Sequence, residues 1–207
     1  MPTIKKWIKI TPQEILRDGT PILMDKKQDD DMLVYAYRQL VRSYPKFFKM
    51  DGLSRLGFIA TELLLMDDLN CIDPSDNTAV IFFNRGGSID NDRDYQKTIS
   101  DKENFYPSPA IFVYTLPNIV TGEIAIRNHF HGETSFYVLD EWSAQSIVAT
   151  VEDSMLSDGM IKRCICGWVE YDGKTSFEAE VLLIERNGEG RQLDETVLNT
   201  IRQEINN

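Results

Sequence analysis

The stretch ETSFYVLDEWSAQSIVATVEDSML, Glu133 to Leu156, reads as a short apolar strand that turns sharply into a helix. Beyond the turn, Ala144, Ile147, Val148, Val151 and Met155 recur at helical spacing and gather within an arc of about 100°. Ser143, Ser146, Thr150 and Ser154 form a stripe of small polar residues that the same spacing sets opposite. A strand-to-helix junction of this kind can hold a Cys or Ser nucleophile. Here Asp140 and Glu141 occupy it.

Working outward, the elements alternate. KKWIKI near the start is a strand, and Thr11, Pro12 and Glu14 form a capping box that predicts a short helix. Asp30 to Tyr44 reads as a helix ending before Pro45, and DGLSRLGFIATELLLM, Asp51 to Met66, as a strongly apolar one. Thr78 to Phe83 is an apolar strand of the kind buried on both faces. Asp92 to Ser100 is a short helix, and Ser108 to Phe130 a longer one divided at Pro117, which lacks an amide donor. After the Glu133–Leu156 segment come strands at Ile161–Glu170 and Thr175–Glu185, joined by the turn YDGK, and a last helix from about Asp194. This pattern predicts an α/β fold with a mixed, mainly buried sheet packed between helices, in a single domain over residues 1–207.

Composition narrows the function. A formal net charge of −11 argues against nucleic acid, which is bound by neutralising its phosphates, and against anionic membranes. Lys5, Lys6, Lys26 and Lys27 make only small basic clusters, best read as solvated surface. No apolar run approaches the ~20 residues of a membrane span, and MPTIKKWIKITPQE has no signal-peptide core, so a cytoplasmic location is expected. Cys71, Cys164 and Cys166 form no disulfide framework; the last two share one face of a strand and read as core residues.

Other candidate sites are weak. His129 and His131 flank Phe130 without a ligand partner at metal spacing, Glu133 stands close but unsupported, and no metal is expected. Arg85-Gly86-Gly87-Ser88 follows a buried strand as a phosphate loop would, yet it fits neither GxxxxGK[ST] nor GxGxxG. A tight turn explains its glycines, and no cofactor is expected.

Asn118 to Glu170 resembles the condensing-enzyme segment of the β-ketoacyl synthases, which have the thiolase-like fold. In that family an Asn is followed four residues later by Gly, then by a Gly-Pro pair and a strand, with the nucleophilic Cys nine residues after the second Gly. Asn118, Gly122 and Gly132 stand at those spacings, and counting nine from Gly132 reaches Glu141. Leu139 and Asp140 replace the Thr-Ala before the Cys, while Ser143 matches the Ser two positions after it. Gly159 to Glu170 is similar to the later strand ending in Gly-Gly-x-Glu, and Asp51 to Met66 to the helix before the first long strand.

The resemblance implies the N-terminal half of a condensing enzyme without its nucleophile. The family's two catalytic His residues belong to its second half, so neither His129 nor His131 inherits their roles. No catalytic residue is assigned; Glu141 holds the nucleophile position, with Asp140, Ser143 and His129 as the further candidates. A carboxylate at a helix start is a poor acyl acceptor, and the plainest reading makes Asp140 an N-cap and Glu141 a first-turn acid.

Three functions follow from this reading. The first is an accessory subunit, like the family's chain length factors, in a fatty acid, polyketide or aryl-polyene type synthase. The second is a residual acyl-thioester decarboxylase or hydrolase using Glu141 and His129, and the third a stand-alone acyl-binding or scaffold module. The resemblance implies a homodimer, or a heterodimer with an active condensing enzyme. Acyl carrier protein is itself acidic, so its association with a chain of charge −11 is expected to be indirect.

Overall fold

The computed structural model describes residues 1–22, 25, 30–41, 43–67 and 77–206, with the side chains of 204–206 left aside. Lys26, Lys27 and Cys71 lie outside the described residues. The strands are β1 (Pro2–Ile10), β2 (Ile15–Arg17), β3 (Thr20–Pro21), β4 (Asn77–Asn84), β5 (Thr134–Val138), β6 (Ile161–Tyr171), β7 (Phe177–Arg186) and β8 (Arg191–Gln192). The helices are α1 (Met32–Leu40), α2 (Gly52–Leu65), α3 (Ile89–Ser100), α4 (Pro109–Val113), α5 (Ile119–Asn128), α6 (Ala144–Ser157) and α7 (Glu195–Asn206), with a 3-10 turn at Pro45–Lys49.

The strands form one mixed sheet in the order β3-β2-β1-β7-β6-β4-β5, with β8 paired to β1. β4 runs parallel to β5 and β6, while β6–β7, β7–β1 and β1–β2 are antiparallel. Strict alternation along β4 sends Val80 and Phe82 into the core shared with α1, α2 and α5. Ala79, Ile81 and Phe83 go to the opposite core, which α6 and α7 cover. The sheet is thus sandwiched between helical layers, as the alternating pattern implies.

α2 is buried over nearly its whole surface, which its apolar run requires, and Asp51 caps it by accepting the amide of Ser54 at 3.1 Å. Burial pushes the Asp51 carboxyl above its usual range. The helix expected over 108–130 is divided at Pro117 into α4 and α5.

Three expectations need correction. Thr11 does accept amides from Gln13 and Glu14, at 3.3 and 3.2 Å, but these bonds close a turn that folds β2 back on β1, with Ile10 opposite Ile15. Pairing with an existing strand outweighs a capping signal that no helical run supports. The helix expected over 30–44 stops at Leu40, because Val41 turns extended and the chain re-enters as the 3-10 turn. Ser154, placed on the polar stripe of α6, is buried with the apolar face.

Candidate functional site

β4, β5 and β6 end together at one end of the sheet, where the loops after β4 and β5 carry Arg85 and Glu141 and the last residues of β6 present Glu170. In open α/β sheets this is the end where ligands bind. Two side chains build the first loop. Asn84, fully buried, accepts the amide of Gly87 through Oδ1 and donates from Nδ2 to the Gly87 carbonyl, both at 2.8 Å. Glu170 accepts the amides of Arg85 at 2.7 Å and of Gly86 at 3.0 Å. Gly87 has φ of +57°, a conformation that favours glycine. The Arg85 and Gly86 amides are therefore taken by the Glu170 carboxylate and the Gly87 amide by Asn84, so side chains of the same chain close this loop as a tight turn.

β5 runs from an exposed Thr134 to a turn at Leu139–Ser143. Its start is set by Gly132, where a Cβ would lie 2.6 Å from the Thr78 carbonyl. At its end the Leu139 amide donates to the Asn84 carbonyl at 2.8 Å. Asp140 and Glu141 are exposed in the bend that follows. Neither caps α6: Ser143 is the N-cap, accepting the Ser146 amide at 3.2 Å, and Ala144 is the first helical residue. The reading of Asp140 as N-cap and Glu141 as a first-turn acid is thereby corrected; both stand ahead of the helix.

The cause is Trp142. Its ring turns inward to meet the guanidinium of Arg202 from α7, 5.0 Å from the ring centroid. Reaching that partner delays the helix until Ser143. Arg202 in turn donates to Glu180 at 2.6 Å and to Glu178 at 3.1 Å, so the C-terminal helix is tied to both the sheet and the turn beside Glu141. No sequence signal linked Arg202 or Glu180 to this site.

His129 lies elsewhere. It is the left-handed C-cap of α5, with φ of 57°, and like His131 it is exposed before the start of β5. Five strand residues, about 15 Å of extended chain, separate it from the turn of Glu141. The structure does not bring Glu141 and His129 together.

Of the remaining titratable candidates the two cysteines belong to the core, and Glu133 is half-buried. Cys164 and Cys166 are fully buried, and the Cys164 thiol is pushed well up by its hydrogen bond with Cys166 and by burial, so it stays a thiol. Glu133 accepts from the hydroxyl of Ser135. Among the described residues no three His, Cys, Asp or Glu side chains gather as metal ligands, and no helix is long and apolar enough to cross a membrane.

The sequence matches no protein-family model and no curated protein. Solved structures do resemble the fold. The ishigamide ketosynthase/chain length factor is similar at a TM-score of 0.65 and 16% identity, over 90% of this chain and 62% of that one. A ketosynthase in complex with its chain length factor from Xenorhabdus doucetiae is similar at 0.54 and 14%, over 90% and 80%. A type II polyketide synthase acyl-carrier protein in complex with its ketosynthase bound to the hexaketide is similar at 0.58 and 14%, over 90% and 62%. The chain thus spans about three fifths of the first and third relatives and four fifths of the second. With the topology above, these likenesses show that the chain has a thiolase-like ketosynthase half-fold.

Proposed function

We propose that this chain is a catalytically degenerate ketosynthase-like protein. In this reading residues 1–207 form a single domain that serves as a chain-length-factor-like accessory subunit of a fatty acid or polyketide/aryl-polyene type synthase. It works as a homodimer or, with an active condensing enzyme, as a heterodimer, in the cytoplasm. The solved relatives that include chain length factors support the reading at the level of fold.

The observation that carries it is the state of β5. At its carboxyl end, where condensing enzymes of this fold hold a nucleophilic Cys, stands an exposed Glu141 with no His beside it. A carboxylate there is a poor acyl acceptor from a thioester without an activated water and a general acid beside it. Along its outer side the same strand has no partner among the described residues. An open edge with exposed Tyr137 and Val138 is a liability in a lone protein and a docking edge in an assembly. The hydrolase reading loses its support because His129 stands at the other end of that strand.

Reconstitution tests this. The chain is mixed with the condensing enzyme and acyl carrier protein of its host, and acyl-thioester turnover and complex mass are measured. A complex whose turnover depends on the partner's Cys supports the accessory role. Turnover by the isolated chain would overturn it, and so would a strictly monomeric chain that binds no condensing enzyme.

A further inference from the structure

The three tryptophans of the protein, Trp7, Trp142 and Trp168, line one small chamber between the sheet and the helices α6 and α7. Its volume is about 20 Å³. Glu180 and Arg202 complete its wall. Glu180 is only 7% exposed. One of its carboxylate oxygens, Oε2, takes the Arg202 guanidinium at 2.6 Å; the other, Oε1, is buried and meets no donor from the protein.

A buried carboxylate oxygen without a donor costs on the order of 1–3 kcal/mol, more for a charged group, and native interiors seldom carry that cost. The chamber supplies a remedy. A buried water requires roughly 10–15 Å³ of free volume, which the chamber has, and polar partners, of which Glu180 Oε1 is one. Charge decides between water and a small cation: Glu180 and Glu178 on β7 face Arg202 on α7 and Lys9 on β1, two acids against two bases. With that balance a neutral donor is favoured over an ammonium or alkali ion. The space also rejects anything larger than one heavy atom or so, which excludes methylated ammonium ions despite the aromatic walls.

We infer that the chamber is a hydration site, in which one water donates to Glu180 Oε1 and completes the Glu178–Glu180–Arg202 cluster beneath Trp142. The water is a structural part of the link from α7 to the turn that carries Glu141. The inference rests on the local geometry and stands whether or not the chain is an accessory subunit.

The test is a crystal structure of the full chain at 1.5 Å or better, with oxygen-17 relaxation dispersion to count long-lived waters in solution. The expected result is full-occupancy density at hydrogen-bond distance from Glu180 Oε1. E180Q keeps a polar partner and should keep the long-lived water, whereas E180M leaves the chamber without its carboxylate and should lower the count by one. A dry chamber in the crystal, or a side-chain donor moved onto Oε1, would overturn the proposal. An unchanged count in folded E180M would also overturn it, and if that variant does not fold the wild-type density decides alone.

Discussion

The Leu139 amide donates to the Asn84 carbonyl at 2.8 Å, and with the bond from the Val80 amide to the Glu133 carbonyl, also 2.8 Å, it fixes the register of β5 on β4. In a parallel ladder the bonding residues alternate, so Glu133, Ser135, Tyr137 and Leu139 face β4. The amides and carbonyls of Thr134, Phe136 and Val138 therefore form the outer edge of the sheet. Phe136 still anchors the strand by packing on the α2–α5 core, while Tyr137 stacks on Phe83 at 5.2 Å between centroids.

This register gives a specific substitution. Val138 is 56% exposed, and its amide points outward, so Val138→Pro removes an edge donor without breaking a ladder bond. Its unfolding free energy should stay within about 1 kcal/mol of wild type. Its mass by light scattering should fall to that of a single chain. A dimeric V138P protein would mean that assembly uses another surface.

Glu141 should be dispensable for stability. It is exposed and ahead of the helix, so Glu141→Gln should change the unfolding free energy by no more than about 0.5 kcal/mol in denaturant melts. Glu141→Cys should not create condensing activity with acyl and malonyl thioesters, because catalytic groups that act as a unit are strongly non-additive and no His stands at this turn.

Burial raises the Glu180 carboxyl above its usual 4.5, against the opposing pull of Arg202. The folded state then holds this proton more tightly than the unfolded state, so the group disfavours folding at neutral pH and does so less as pH falls through the folded value towards 4.5. Glu180→Gln removes that dependence. The stability of wild type relative to E180Q should therefore rise between neutral pH and pH 4.5, measured by paired thermal melts; a flat difference would show that Glu180 titrates normally.

Two phenols should titrate late. Burial, aided for Tyr114 by Glu123 and for Tyr171 by Asp90, pushes both up to about 12. In the unfolded chain they ionise near 10, so stability is unaffected below that pH and is lost as pH rises from 10 towards 12. Ultraviolet titration of the native protein should show two tyrosines lagging, and Tyr114→Phe should remove one of them.

The architecture was legible because its strongest signals are local and periodic. The apolar runs of α2 and β4, the break at Pro117 and the turn at Asp172–Lys174 all survive in the structure. What failed was decided by distant contacts. Asp140 and Ser143 are both competent N-caps in isolation, and only the reach of Trp142 to Arg202, 60 positions along the chain, selects Ser143. The Thr11 turn went to a strand for the same reason, since β1 offered Ile15 a partner. The outer edge of β5 was invisible as well, because an edge is defined by the strand order of the whole sheet.

The central claim is that this half-fold works by pairing rather than by catalysis. Light scattering of the purified chain, alone and mixed with the condensing enzyme of its host, tests it most directly. The account expects about twice the 23.8 kDa chain mass alone and a one-to-one complex in the mixture. A 23.8 kDa species under both conditions at micromolar concentration would contradict it.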